Sequence, residues 1–166
     1  MIRKILVALV LTVAATNAQA QTAAMPSTAL TAEEKAEMDQ LRAEIASGKK
    51  AVVQENVGLT DAEGAKFWPI YEAYQAELQG FNKRLLDGIE RYANAYNANA
   101  MTDAQAKALG DEILKLEADE LKAKQKMFGK VSKVLPGKKA ARYLQIENKI
   151  RALLRFEMAA DIPLVQ

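Results

Sequence analysis

The sequence contains neither cysteine nor histidine among its 166 residues. The absence of cysteine excludes disulfide bonds and a thiolate nucleophile. The absence of histidine removes the commonest general base and the commonest metal ligand. Methionines and carboxylates alone are a poor ligand set for zinc or copper. We therefore predict no catalytic residues, no metal site and no cofactor, and expect a protein that is not an enzyme.

Long apolar runs are also scarce. The run from Ile5 to Ala15 follows Arg3 and Lys4 and precedes Ala18-Gln19-Ala20. This pattern is typical of a bacterial export signal, although an uncleaved N-terminal anchor is the alternative. We predict that residues 1–20 are a cleaved signal peptide and that the mature chain is periplasmic, with full secretion as the other destination. No later run approaches the roughly 18 apolar residues of a membrane span, so no stable membrane insertion is expected.

Net charge is small. The chain has 23 basic and 21 acidic residues, and loss of Arg3 and Lys4 with the signal leaves 21 of each. A neutral mature chain has no global attraction to nucleic acid, so nucleic acid is not an expected partner. Residues 21–30 read as a disordered lead-in, and residues 31–166 are long enough for a single domain with its own core.

Helix-start signals divide this domain. A capping box joins a threonine at the N-cap to a Glu or Gln three residues later. The sequence holds three such pairs: Thr31 with Glu34, Thr60 with Glu63, and Thr102 with Gln105. The Leu135-Pro136-Gly137 turn precedes a fourth helical pattern from about Lys138 to Ala160. No segment alternates as a strand would, and we predict an all-α, elongated bundle of about four helices.

Two glycines and one proline bear on the helix boundaries. Gly48 is a weak point in the first helix, which we expect to continue to Asn56. Gly58 is suited to a left-handed C-terminal cap. The second helix, from Thr60 to about Tyr96, is the long central element of the bundle, at about 54 Å. Pro69 lies deep inside it and predicts either a kink just before it or a short helix that restarts there.

The central helix also carries seven of the ten aromatic residues, mostly at helical spacing. The side chains of Phe67 and Trp68 point about 100° apart around the helix, so both cannot face the same neighbour. The same is true of Ile70 and Tyr71. This turn is therefore either buried on two sides or leaves one aromatic side chain exposed. An exposed patch there would suit unfolded segments or dimer packing. Phe67, Trp68, Ile70 and Tyr71 are our first candidate surface for a client or partner.

A basic run is the second candidate surface. The stretch 122–142 holds eight bases and no acid: Lys122, Lys124, Lys126, Lys130, Lys133, Lys138, Lys139 and Arg142. These bases either complement the helix dipole on a solvated face or form a patch for acidic clients, lipid phosphates or a partner.

Neighbouring residues of the last two helices carry further expectations. In the third helix we expect Ile113 in the buried stripe. Glu117 and Glu120 are expected as surface charges, with Glu120 interrupting the stripe and Ala123 taking its place. The tail, residues 162–165, is expected to pack on the bundle or on a partner.

Two pentapeptides carry a family resemblance. Leu59-Thr60-Asp61-Ala62-Glu63 and Met101-Thr102-Asp103-Ala104-Gln105 resemble the L-T-x-x-Q motif of the periplasmic Spy/CpxP family. The likeness covers residues 30–135 in layout and only these pentapeptides in sequence. The C-terminal helix extends beyond the family pattern, and the lack of His and Cys departs from its metal-responsive branch.

The resemblance implies cradle-shaped helical dimers that bind unfolded proteins without ATP or that modulate envelope-stress sensors. The expected function is therefore that of an exported chaperone-like or stress-response protein. The expected partners are unfolded or partner proteins of the cell envelope, with a homodimer as one expected assembly. The alternative is a structural or regulatory protein that docks on one specific envelope partner or assembles with itself.

Overall fold

The computed structural model describes residues 32–165. The proposed signal peptide, the lead-in and the predicted N-cap Thr31 lie outside the described residues. Four helices follow one another: α1 (Ala32–Val57), α2 (Asp61–Asn97), α3 (Asp103–Val134) and α4 (Gly137–Asp161). The described chain contains no strand, which confirms the prediction of an all-α bundle with one long helix.

The helix boundaries follow local sequence signals. α1 passes through Gly48 without a break and ends before Gly58, whose φ of 66° confirms the left-handed cap. Thr60 Oγ1 accepts a hydrogen bond from the Glu63 backbone N–H at 3.3 Å, and the Glu63 carboxylate accepts one from the Thr60 N–H at 2.8 Å. Thr102 and Gln105 form the same reciprocal pair at the start of α3. Both capping boxes are confirmed.

Pro69 does not divide α2. The helix continues for 37 residues with the proline inside it, so of the two alternatives the short helix that restarts at Pro69 is wrong. A proline at this position leaves the carbonyl of Ala65 without its helical donor. Ala65 and Pro69 are both exposed, and water can therefore satisfy that carbonyl.

Ion pairs define the direction of each helix. Three ion pairs join α2 to α3: Glu77 with Lys126, Arg84 with Asp119, and Arg91 with Glu112. The residue numbers of the partners rise along α2 and fall along α3. α2 and α3 are therefore antiparallel. The α4 residue Lys139 meets Glu63 near the start of α2, and Pro163 beyond α4 meets Tyr92 near the end of α2, so α4 runs parallel to α2.

α1 and α3 lie on different sides of α2. Gln75 accepts a hydrogen bond from Lys49 of α1, whereas Glu77 binds Lys126 of α3. Gln75 and Glu77 are two residues apart, so their side chains point about 200° apart around α2. α1 and α3 therefore contact different sides of this helix.

All four helices contribute to one core. Its largest fully buried side chains are Val53 and Val57 from α1, Phe67 from α2, Val131 from α3 and Tyr143 from α4.

Candidate functional site

The aromatic turn of α2 lies mostly inside the core. Phe67 is completely buried and its ring meets Tyr143 edge-on, with 4.9 Å between ring centroids. Tyr71 is also buried. The expectation that these two residues belong to an exposed binding surface is wrong, because α4 supplies Tyr143 to the same cluster. Of the two arrangements left open by the sequence, the structure has the turn buried on two sides.

Trp68 lies at the seam between α1 and α2 and is half-buried. The Lys50 ammonium group sits 5.0 Å from the centroid of the indole, within cation–π range. Tyr71 packs edge-on against the same indole, with centroids 5.4 Å apart. Trp68 therefore fastens α1 to α2, and only part of its surface is open to a ligand.

Ile70 is the member of the aromatic turn that meets the basic run. It lines a shallow groove between α2 and α3, and Lys126 and Lys130 line the opposite side. We call this the α2/α3 groove; its other lining residues are Ala73, Tyr74, Glu77, Ala123 and Met127. The structure thus joins members of two candidate surfaces that are about 60 residues apart in sequence.

The two groove lysines differ in their partners. Lys126 Nζ lies 3.0 Å from the Glu77 carboxylate. Lys130 is exposed, and no carboxylate of the described residues is within salt-bridge distance of it. Lys130 is therefore the groove cation that is available to an acidic ligand.

Other members of the basic run hold the fold together. Lys139 Nζ lies 2.6 Å from the Glu63 carboxylate, and its hydrogen bond is the main reason that the pKa of Glu63 is lowered. Arg142 donates to the backbone carbonyl of Asn56 at 3.3 Å. Both residues tie α4 to the ends of neighbouring helices, which argues against a primary role in ligand binding.

The remaining lysines of the run are divided between faces. Lys122, Lys133 and Lys138 are exposed, and Lys124 is half-buried. Lys124 lies on the α4 side of α3, in the groove that also contains Arg151 and Arg155. The eight bases therefore do not form one patch.

Glu120 was predicted to be a surface charge, and this prediction is wrong. It is only 3% exposed and belongs to the buried stripe, where Arg151 donates to both carboxylate oxygens at 2.8 and 2.6 Å. Arg155 adds a third bond at 3.2 Å. Burial works against the charged carboxylate, but the bonds and charges of the two arginines prevail and lower the pKa of Glu120.

The available sequence signal for this network was the spacing of Arg151 and Arg155, which places both on one face of α4. Glu117, by contrast, is exposed as expected and pairs with Arg155 at 3.0 Å.

A second buried polar cluster joins α1, α2 and α4. Glu147 accepts hydrogen bonds from Lys49 at 2.8 Å and from Gln75 at 3.1 Å. The Tyr143 hydroxyl is buried and meets the geometry of a hydrogen bond with none of the described residues, although the Glu147 carboxylate lies near enough to act on its pKa. Burial, followed by the charge of Glu147, raises the pKa of Tyr143 and of Tyr74. This cluster positions α1 against α2 and α4.

Apolar side chains are exposed on the outer side of α3 and α4. Leu114 is 66% exposed, Leu121 is 53% exposed and Phe156 is 73% exposed. Ile113, expected in the buried stripe, is also about half exposed, so that expectation is wrong.

The backbone of the C-terminal tail is hydrogen-bonded to α2, but the side chains of Leu164 and Val165 are exposed. The Tyr92 hydroxyl donates to the Pro163 carbonyl at 2.9 Å, whereas the Leu164 side chain beyond it is 89% exposed.

Two chemical properties of the described residues bear on function. Over residues 32–165 no three carboxylates converge closely enough to hold a metal ion. None of the helices over the same residues combines the length and apolar character that a bilayer crossing requires. What these residues offer is a set of surfaces: the α2/α3 groove, the outer side of α3 and α4, and the tail. Comparison with protein-family models, curated proteins and solved structures finds no match to this chain.

Proposed function

We propose that this protein is an exported, ATP-independent helical binding protein that acts as a chaperone or as a modulator of envelope stress. The observation that carries the proposal is the α2/α3 groove, where Ile70 lies opposite Lys126 and Lys130. The export-signal pattern and the resemblance of the two pentapeptides to the Spy/CpxP motif support the proposed location and class.

The groove combines the two contacts that an unfolded polypeptide can use. Half-buried Ile70 provides its apolar surface, while Met127 beside it is buried. Lys130 provides a cation without a carboxylate partner among the described residues, and it can pair with an acidic side chain of a client. Because the groove is shallow, it makes few contacts with any one sequence, which fits weak binding of many clients better than tight binding of one.

The test is suppression of aggregation. A denatured model client is diluted into buffer with the mature chain, residues 21–166, and light scattering is followed without nucleotide. We expect less scattering at a several-fold excess of the protein, and a smaller effect for Lys130→Glu. Lys122→Glu is the matched control, because Lys122 has the same charge and lies on α3 outside the groove. Unchanged scattering with the native chain contradicts the proposal.

A second candidate function rests on the tail. Leu164 and Val165 are exposed, while the Tyr92–Pro163 hydrogen bond fixes the backbone just before them. A fixed apolar end is suited to docking on one specific envelope partner, the structural or regulatory alternative.

This alternative predicts a single copurifying partner at a fixed ratio that is lost when residues 162–166 are deleted. It also predicts no effect on aggregation of the model client. A chain that suppresses aggregation equally well with and without the tail contradicts it.

A further inference from the structure

The outer side of α3 and α4 presents an apolar ridge that the α2/α3 groove does not use. Leu114 and Leu121 are seven residues apart and therefore share one side of α3. Leu121 and the α4 residue Ala152 line the same inter-helix groove, and Phe156 follows Ala152 by four residues, on the same side of α4. We call this surface the outer face and define it by Leu114, Ala118, Leu121, Ala152 and Phe156.

Lysines flank this ridge. Lys122 directly follows Leu121 and is exposed, and Lys124 lines the groove beside Leu121 on the α4 side. Lys115 is exposed next to Leu114. Among the described residues, no carboxylate lies within salt-bridge distance of any of these lysines.

The acids of α3 beside the ridge form salt bridges. Between Leu114 and Lys133 the acidic residues are Glu117, Asp119 and Glu120. Each forms a salt bridge to an arginine: Glu117 to Arg155, Asp119 to Arg84, and Glu120 to Arg151. On its α3 side, the outer face is therefore apolar in its centre and positively charged at its margin.

We infer that the outer face docks on the surface of a bilayer that contains anionic phospholipids. Exposed leucine and phenylalanine side chains beside unpaired lysines are the pattern by which an amphipathic helix lies in a membrane interface without crossing it. The apolar side chains enter the headgroup region, while the lysines reach outward to the phosphates. This inference is independent of client binding in the α2/α3 groove, since the two surfaces use different side chains.

Two other occupants fit this face less well. An antiparallel pairing of two chains centred on Leu121 would bring the two copies of Lys122 together, which is repulsive. An acidic polypeptide would need acidic and apolar side chains at one fixed spacing to match the lysines and the protruding leucine and phenylalanine side chains together. A lipid interface accommodates the charges and the apolar groups together.

The binding experiment uses the mature chain and vesicles of phosphatidylcholine with or without a third of phosphatidylglycerol. We expect cosedimentation with the anionic vesicles only, decreasing as salt is raised. The variant Lys122→Gln/Lys124→Gln should bind about 25-fold more weakly, since each lysine near an anionic surface contributes about five-fold. The variant Lys66→Gln/Lys83→Gln carries the same charge change at exposed positions of α2, away from the outer face, and should bind as the native chain does.

The orientation experiment uses the absence of cysteine, because one introduced cysteine is then the only site for a fluorophore. A polarity-sensitive dye on Leu121→Cys should shift to the blue when anionic vesicles are added. The same dye on Lys83→Cys, at a highly exposed position of α2, should not.

Each of the following results overturns the inference: no cosedimentation with anionic vesicles, equal binding by the Lys122→Gln/Lys124→Gln variant, or a blue shift at residue 121 without lipid accompanied by a doubled mass in solution. The last result would assign the outer face to a second copy. Stronger binding to polyglutamate than to anionic vesicles would assign it to an acidic polypeptide and would equally overturn the inference.

Discussion

The buried Glu120 network offers the sharpest test of the fold, through the variant Arg151→Ala. Glu120 is 3% exposed and takes two of its three hydrogen bonds from Arg151. Removing Arg151 leaves a buried carboxylate with one bond of 3.2 Å to Arg155. Breaking a buried ion pair in this way costs about 3–5 kcal/mol, a large part of the roughly 5–15 kcal/mol that stabilises a domain.

The assay is urea unfolding followed by far-UV circular dichroism, with the free energy of unfolding taken by linear extrapolation. Arg84→Ala is the matched control. Its partner Asp119 also lies on α3, at 3.2 Å, but the two side chains are 39% and 31% exposed. A pair this exposed contributes less than about 1 kcal/mol.

A rescue variant separates the buried charge from lost packing. Arg151→Ala/Glu120→Leu carries no unpaired buried carboxylate and should recover much of the stability. Two results would show that the buried Glu120 charge does not depend on Arg151. One is a loss of unfolding free energy in Arg151→Ala that is no larger than in Arg84→Ala, and the other is a rescue variant as unstable as Arg151→Ala alone.

Three further predictions concern stability. The same network predicts acid sensitivity: because the pKa of Glu120 is lower in the folded state than its ordinary 4.5, its contribution is complete above about pH 4.5 and is lost as pH falls through the folded-state pKa. Urea unfolding at several pH values should show this loss, and a smaller one in Glu120→Gln; equal losses would contradict it. Tyr143→Phe removes a buried hydroxyl that meets hydrogen-bond geometry with none of residues 32–165 and should leave the urea midpoint unchanged or raised; a loss above about 1 kcal/mol would show that the hydroxyl bonds to the nearby Glu147 carboxylate. Thr102→Ala removes the N-cap of α3 and should cost about 1 kcal/mol, whereas Thr102→Asn should cost little; equal losses would refute the capping role.

Local interactions explain which parts of the fold the sequence predicted correctly. The capping boxes at Thr60 and Thr102 join residues three apart, and Gly58 acts through its own backbone. These features need no knowledge of the rest of the chain. The end of α1 and the starts of α2 and α3 follow directly from them, and α4 begins at the Leu135-Pro136-Gly137 turn.

The errors concern contacts between residues that are distant in sequence. Helical spacing shows that Phe67 and Trp68 diverge, but burial of Phe67 depends on Tyr143, which is 76 residues away. Likewise, Glu120 reads as an interruption of an apolar stripe until Arg151 of α4 is placed against it. The α2/α3 groove was missed as a unit for the same reason: Ile70 and Lys130 become neighbours only when α2 and α3 pair in one register.

Client protection by the mature chain is the measurement that tests the proposed function most directly. Light scattering of a denatured client is recorded without nucleotide for the native chain, Lys130→Glu and Lys122→Glu. We predict suppression by the native chain and by Lys122→Glu, with a clear loss for Lys130→Glu. If light scattering stays unchanged with every variant and at any excess of the native protein, the chaperone proposal is contradicted. Equal suppression by all three chains would show that clients bind outside the α2/α3 groove.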